Sequence, residues 1–350
     1  MNEATAAASD DILFERRGRM GLVTLNRPGA LNALTHDMSL KLDAQLRAWA
    51  ADRKIATVCI TGAGERAFCA GGDVRALYES GPGGKLTRDF YWDEYRLNRR
   101  IHRLPKPYVA LIDGIAMGGG VGVSVPGRFR VVTEKALFAM PETGIGLFPD
   151  VGGTYFLARC PGEIGVYLGL TGARLKAADL MYAGLATHHV ASERLRELIV
   201  ALEREPMEPT LERFGESAGR APLATHRDAI DRCFAGDRVE DIIEALACEK
   251  GEWAEGTRAT LSQKSPTSLR VTLRQLRLGR TLDFEDCMRL EYRLVQRFMA
   301  AHDFFEGVRA VVIDKDNRPR WKPAELGAVA PALVEAYFAS LGERELHFND

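Results

Sequence analysis

Long apolar runs are absent from this 350-residue sequence, so no membrane-spanning helix is predicted. An excess of charge is also absent, because 47 Lys and Arg residues stand against 48 Asp and Glu residues and leave a formal charge of −1. Nucleic acids and anionic membranes attract proteins through a basic field that this chain lacks. We therefore expect neither nucleic acid nor a membrane as a partner.

Cysteine is scarce and scattered. The six cysteines form no CxxC pair and no cluster with histidine, so the sequence predicts neither a metal site nor a disulfide framework. Residues 1–17 are acidic and have neither the apolar segment of a signal peptide nor the Arg- and Ser-rich pattern of a transit peptide. Free thiols without a targeting segment predict a reducing, cytoplasmic location.

Nucleotide-binding loops are missing as well, because no GxxxxGK[ST] occurs and no GxGxxG joins a strand to a helix. The first half instead alternates helical segments with short β-type runs, which predicts an α/β fold. The β-type runs are residues 22–25, 56–60, 108–112 and 129–132. Residues 37–50 follow a suitable N-cap, Thr35, and place apolar side chains on one face of a helix.

After about residue 190 the pattern changes to long amphipathic helices with few β-type runs. Three prolines interrupt a polar stretch at 204–224, which is typical of a connection, although prolines at helix starts would give the same pattern. We expect a core over residues 12–200 and a mainly helical region over residues 201–350.

Two glycine clusters are candidate ligand sites. The first, FCAGGD, ends at Asp73, and the second has five glycines within residues 114–122. Glycine lets a ligand approach the main chain closely, and one N–H group from each cluster could hold a carbonyl oxygen as it becomes negative. A tight strand-to-helix turn is the alternative explanation for the first cluster.

Two carboxylates lie in a third segment, MPETGIGLFPDVGG. Glu142 and Asp150 are surrounded there by apolar residues, glycines and prolines rather than by other charges. Burial raises the pKa of a carboxylic acid towards that of a useful general acid or base. The alternative is that both acids only hold a loop in place.

These three segments, in this order and spacing, resemble the enoyl-CoA hydratase/isomerase (crotonase) family over residues 12–195. The resemblance implies a crotonase-like spiral of ββα units with a helical C-terminal region. It also implies an acyl-CoA substrate, no further cofactor or metal, and a possible homo-oligomer. Motif matching places the two oxyanion donors at Gly72 and Gly119.

Family members that hydrate a double bond carry a second glutamate where this chain has Gly122, so a plain hydratase is disfavoured. The pairing of Glu142 with Asp150 and the motifs at 265–276, 288–299, 302–316 and 321–323 resemble the hydrolase branch of the family. This resemblance implies cleavage of 3-hydroxyisobutyryl-CoA, and of 3-hydroxypropionyl-CoA as a second substrate, in valine breakdown. It implies that Glu94, Gly119, Glu142 and Asp150 contact the substrate.

The chemistry needs an oxyanion hole, a nucleophile and departure of coenzyme A. Gly72 and Gly119 would hold the oxyanion. Glu142 would attack to give a mixed anhydride or act as general base on water, and Asp150 would orient the substrate hydroxyl or the water; the sequence leaves both routes open. The other functions considered are a hydratase or isomerase of short acyl-CoAs and a non-catalytic acyl-CoA-binding protein.

Basic residues are the natural partners of the phosphates of coenzyme A. Arg27, Arg75 and Lys264 are the candidates for this contact. The polar cluster at 302–306, with one histidine and two acids, is expected to position the C-terminal helices rather than to react.

Overall fold

Nine strands form two sheets in the part of the chain that the structure, a computed structural model, describes, residues 10–348. The strands are β1 (Ile12–Arg17), β2 (Met20–Leu25), β3 (Thr57–Gly62), β4 (Ala67–Cys69), β5 (Tyr108–Ile112), β6 (Ile115–Met117), β7 (Phe129–Val132), β8 (Leu137–Ala139) and β9 (His188–His189). The larger sheet has the order β1-β2-β3-β5-β7-β9, and the smaller has the order β4-β6-β8. Every pairing except the antiparallel β1–β2 hairpin is parallel.

Helices connect and cover these sheets. In chain order they are α1 (His36–Ala51), α2 (Val74–Glu79), α3 (Lys85–His102), α4 (Gly119–Gly122), α5 (Gly153–Leu157), α6 (Ile164–Thr171), α7 (Ala177–Tyr182), α8 (Leu195–Leu202), α9 (Met207–Phe214), α10 (Arg227–Cys233), α11 (Val239–Cys248), α12 (Glu252–Leu261), α13 (Pro266–Gly279), α14 (Phe284–Phe298), α15 (His302–Val308) and α16 (Pro331–Phe338). Among the described helices, none is long and apolar enough to span a membrane.

One strand–strand–helix pattern repeats along the first half. Strands β3, β5 and β7 lie in the large sheet, and each is followed within a few residues by β4, β6 or β8 of the small sheet. Parallel neighbours need a crossover connection, which the helices after β4 and β6 provide. This arrangement is the predicted spiral of ββα units with a helical C-terminal region, so the fold prediction is confirmed.

Helix α1 shows how the local sequence sets an element. The side chain of Thr35 accepts a hydrogen bond from the backbone N–H of Met38 and caps the helix, as predicted. The apolar side chains of Met38, Leu42, Leu46 and Trp49 are all buried in the main core, on the face that the periodicity indicates.

The expected division at residues 200 and 201 falls inside α8, and it stays a prediction about domain organisation. Part of the proline-containing stretch forms α9, which begins directly after Pro206. Helices α8 and α9 pack under the large sheet in a second apolar cluster that includes Leu198 and Leu211. The C-terminal helices α13 and α14 pack against α5, and α14 also packs against α3.

Candidate active site

The predicted site residues follow the three strands of the small sheet. Because β4, β6 and β8 are parallel, their carboxyl ends lie at one edge of that sheet. Gly72 comes three residues after β4, Gly119 two residues after β6, and Glu142 three residues after β8. Topology therefore brings together two glycines and a glutamate that are far apart in the sequence.

The hydrogen bonds around Gly72 direct its amide away from the neighbouring chain. Leu34 N donates to Gly71 O over 2.8 Å, and Asp73 N donates to Leu34 O over 2.9 Å. In such a parallel bridge the residue between the two bonded positions points its own N–H group to the other side. Among residues 10–348 the Gly72 N–H has no hydrogen-bond acceptor, so it is available to a ligand.

Gly119 begins the short helix α4, where a backbone N–H has no partner within the helix. A Cβ atom placed on Gly119 would lie 3.1 Å from Gly72 N and 2.9 Å from Oε1 of Glu94. Gly119 therefore abuts both the other glycine and a carboxylate, and the close approach requires that it carry no side chain.

Glu142 opens a 3-10 turn after β8, and its side chain is 4% exposed. Its Oε2 is buried without a hydrogen-bond partner, and Oε1 lies 3.4 Å from the position of a Cβ on Gly118. Burial and the nearby charge of Asp150 raise the pKa of Glu142 well above its ordinary value, and the charge of Lys264 opposes the rise. The carboxylate is thus buried beside the second glycine cluster, and its Oε2 is without a hydrogen-bond partner among residues 10–348.

Glu94, on helix α3, also lies beside Gly119. Its side chain is 2% exposed, and its Oε1 has no hydrogen-bond partner among the described residues. Burial raises the pKa of Glu94 well above its ordinary value, and the charges of Asp150 and Glu291 raise it further.

Asp150 lies in the loop between β8 and α5 and is 4% exposed. The phenol of Tyr95 donates a hydrogen bond of 2.8 Å to Oδ2 of Asp150. Burial raises the pKa of Asp150 from 3.8 to about 7, although the Tyr95 hydrogen bond pulls it down. The structure therefore gathers Glu94, Glu142 and Asp150 into one buried acid cluster.

The loop that carries Asp150 is strained. Val151 has a φ of +51°, a left-handed conformation that costs a β-branched residue on the order of 1–3 kcal/mol. Such a conformation persists only where surrounding contacts impose it.

Residues of the C-terminal helices supply those contacts. Glu291 on α14 is fully buried and accepts hydrogen bonds of 2.8 Å from both Gly152 N and Thr154 N. Gln275 on α13 donates to the carbonyl oxygen of Pro149 over 2.7 Å. Burial raises the pKa of Glu291 to about 8, and the charge of Asp150 contributes. Glu291, Gln275 and Tyr95 are parts of the site that the sequence analysis missed.

The space beside Gly122 is closed. A Cβ there would lie 2.8 Å from Cβ of Val151 and 2.9 Å from Nδ2 of Asn98. Nδ2 of Asn98 also donates to the Gly122 carbonyl over 2.9 Å. No glutamate side chain fits at this position unless the loop beside Asp150 moves.

A cleft of about 1140 Å³ adjoins the cluster and is lined by Met117, Pro141, Gly144 and Lys264, among others. This volume exceeds the roughly 300–1,000 Å³ of a typical small-molecule pocket and suits a long ligand. Of the three basic residues predicted to meet phosphates, only Lys264 lines this cleft; Arg27 pairs with Asp73, and Arg75 donates to a backbone carbonyl.

Comparison with known proteins agrees with this fold. The model of the enoyl-CoA hydratase/isomerase family matches residues 20–338, and the chain belongs to that family. Two solved structures are very similar to it: a carnitinyl-CoA dehydratase from Mycobacterium thermoresistibile (TM-score 0.93, 44% identity, 97% of this chain and 99% of that one) and an enoyl-CoA hydratase from Rhodobacter sphaeroides 2.4.1 (TM-score 0.91, 42% identity, 97% and 100%).

The similar curated relatives share one named activity. A protein of Danio rerio is 47% identical, with 98% of this chain and 93% of the relative covered, and one of Homo sapiens is 46% identical, with 97% and 92% covered. Both are named 3-hydroxyisobutyryl-CoA hydrolase, mitochondrial.

The predicted cytoplasmic location is contradicted by these names, because the similar curated relatives are mitochondrial enzymes. The prediction used two signals. Free cysteines report a reducing environment but not which compartment provides it. The other signal came from residues 1–17, of which residues 1–9 lie outside the described part of the chain.

Proposed function

We propose that this chain hydrolyses the thioester of 3-hydroxyisobutyryl-CoA to 3-hydroxyisobutyrate and coenzyme A. The observation that carries the proposal is the buried pairing of Glu142 with Asp150 beside Gly72 and Gly119. The names of relatives that match nearly the whole chain at 46–48% identity support the same reaction.

In this proposal the N–H groups of Gly72 and Gly119 hold the thioester oxygen as it becomes negative. Neither group has an acceptor among residues 10–348, so neither must break a protein hydrogen bond to do so. Loss of one such donor typically costs about 2.7–4 kcal/mol in transition-state stabilisation.

Glu142 has two routes to the product. It attacks the carbonyl carbon, expels the thiolate of coenzyme A and forms a mixed anhydride that water then cleaves, or it takes a proton from the water that attacks directly. The anhydride route predicts a transient mass gain equal to the acyl group, measurable on the intact protein after a rapid acid quench. An unchanged protein mass throughout single turnover would favour the general-base route.

Asp150 and Glu94 recognise the 3-hydroxyl group or the attacking water in this proposal. Oε1 of Glu94 lies 2.9 Å from the position of a Cβ on Gly119, and Asp150, in the loop before α5, interacts electrostatically with both Glu94 and Glu142. A buried acceptor left without its hydrogen bond discriminates strongly against a substrate that lacks the hydroxyl.

Hydration of a short enoyl-CoA is the competing activity, since two similar solved structures are named a carnitinyl-CoA dehydratase and an enoyl-CoA hydratase. Hydration uses a second glutamate at the position of Gly122 in family members that perform it. That position is closed by Val151 and Asn98 in this chain. The geometry therefore favours the hydrolase.

The test measures thiol release from 3-hydroxyisobutyryl-CoA beside loss of the enoyl absorbance of crotonyl-CoA. We expect rapid thiol release that Glu142→Gln abolishes, while binding of coenzyme A is kept. Glu244→Gln, an exposed glutamate on α11, is the matched control and should leave turnover unchanged. Enoyl loss without thiol release would refute the proposal. The homo-oligomer implied by the family stays a prediction, which light scattering during size-exclusion chromatography tests.

A further inference from the structure

Lys264 carries a half-buried ammonium group without a partner. It lies between α12 and α13 and lines the 1140 Å³ cleft. Among residues 10–348 its side chain makes neither a hydrogen bond nor an ion pair. Burial lowers the pKa of Lys264, whereas the negative charge of Glu142 raises it. A half-buried ammonium group without an ion pair is stabilised by a negative charge nearby, and Glu142 supplies such a charge for Lys264.

The main chain holds this ammonium beside the turn that contains Glu142. Ser265 N donates to the carbonyl oxygen of Thr143 over 3.1 Å, which ties the residue after Lys264 to the residue after Glu142. Nζ of Lys264 lies 3.2 Å from the position of a Cβ on Gly144. The ammonium therefore lies against the 142–145 turn.

Buried side chains hold Ser265 in turn. Its hydroxyl donates to Oδ2 of Asp303 over 2.7 Å and accepts the Ser268 N–H that caps α13. Asp303 also accepts Lys322 N over 2.8 Å through its other oxygen. Through these contacts Asp303, one of the two acids of the 302–306 segment, anchors the start of α13.

The other side chains that interact electrostatically with Glu142 are acids. They are Asp150 in the loop before α5 and the phenol of Tyr91 on α3. Each of them, when ionised, opposes ionisation of Glu142. Lys264 supplies the opposing positive charge.

We propose that Lys264 is a positioning residue whose ammonium, beside the 142–145 turn, favours the ionised form of Glu142, the form that both attack and general-base catalysis require. The inference rests on the proposed role of Glu142. Burial and neighbouring acids favour the neutral form of Glu142, and a neutral carboxylic acid is neither a nucleophile nor a base. The ammonium beside the 142–145 turn opposes this effect and favours the charged form of Glu142.

The test is the pH profile of kcat in Lys264→Met, Lys264→Arg and the wild type. Activity rises with pH as Glu142 loses its proton, so removing the cation should move this acid limb to higher pH by about 1 unit or more. Lys264→Arg keeps the charge and should restore most of the profile. The matched control is Arg174→Met, which removes an exposed cation from the same cleft and should raise KM without moving the limb.

A carboxyl NMR titration with ¹³C-labelled glutamate gives a readout that does not need turnover. The Glu142 signal is assigned by its absence in Glu142→Gln, and Lys264→Met should raise its titration midpoint. Loss of activity by the same factor at every pH, or a rise in KM alone, would overturn the inference, as would an unmoved midpoint. A wild type that releases no thiol would refute the proposed function instead, and the titration would still decide the role of Lys264.

Discussion

Replacing Asp150 by asparagine should stabilise the protein above neutral pH while it destroys activity. Asp150 is 4% exposed, and burial raises its pKa from 3.8 to about 7. A carboxyl group with a raised pKa in the folded state contributes its full stability below its unfolded pKa and loses that contribution as pH rises towards the folded pKa. The loss therefore falls between about pH 4 and pH 7. Asparagine has the same shape, can accept the Tyr95 hydrogen bond and never ionises.

The size of the effect follows from the same values. At about 1.4 kcal/mol per pH unit, the rise from 3.8 to about 7 corresponds to about 4 kcal/mol of lost stability by pH 8. Buried acids in contact do not titrate independently, so we expect roughly 2–4 kcal/mol for Asp150 alone. About two of these three pH units lie above pH 5, so the stabilisation of Asp150→Asn relative to the wild type should grow by roughly 1–3 kcal/mol between pH 5 and pH 8.

Urea denaturation at pH 5, 6.5 and 8 measures this difference. Asp228→Asn, an exposed aspartate on α10, is the control and should show a difference that stays nearly constant with pH. The reasoning fails if Asp150→Asn is no more stable than the wild type at pH 8, or if its advantage does not grow with pH. In that case the surrounding groups would stabilise the ionised Asp150 carboxylate, and its pKa would not be raised in the folded protein.

Two further substitutions test the support of the Asp150 loop by Glu291 and the proposed oxyanion donor Gly119. In the wild type each Glu291 oxygen accepts a hydrogen bond from a backbone N–H group of the Asp150 loop. Glu291→Gln places an amide NH₂ group against one of these N–H groups. Because the two donors repel, the loop should shift and kcat should fall on the order of 100-fold. Glu285→Gln, on the same helix but paired with Arg99, should leave kcat unchanged in the same thiol-release assay. Gly119→Ala adds a Cβ 2.9 Å from a Glu94 oxygen and should lower kcat at least on the order of 100-fold. Gly327→Ala, where a Cβ meets open space, should be active, and equal activity of the two alanine variants would contradict the proposed oxyanion donors.

Local signals were sufficient for much of the fold. The cap at Thr35 and the apolar face of α1 depend on residues in and next to one helix, and the runs that form β5 and β7 are rich in apolar and β-branched residues. The glycine clusters were equally visible, because a position that cannot bear a side chain must be glycine. Gly119 and Glu142 were therefore found from short local motifs, and the structure brings them to one sheet edge.

The supports of Asp150 were not predictable in this way. Tyr95 lies 55 residues from Asp150 along the chain, and Glu291 lies 139 residues from Gly152, whose N–H group donates a hydrogen bond to it. Their pairing depends on the packing of α3 and α14 against the core, which no short pattern encodes. One signal was present: Glu291 falls on the buried face of an amphipathic helix between Met288 and Leu294, where an unpaired acid would be costly. A charged residue on an apolar face predicts a specific partner even when the partner cannot be named.

The closed space at Gly122 connects the supports of Asp150 to the choice of reaction. Val151 fills that space only because its left-handed backbone turns it there, and the backbone is held by Glu291 and Gln275 from the C-terminal helices. A side chain at position 122 and the present course of the Asp150 loop therefore exclude each other. In the proposed reaction the helical C-terminal region thus contributes to the chemistry, because it imposes a loop conformation that brings an aspartate into the candidate site and leaves no room for the second glutamate of a hydratase.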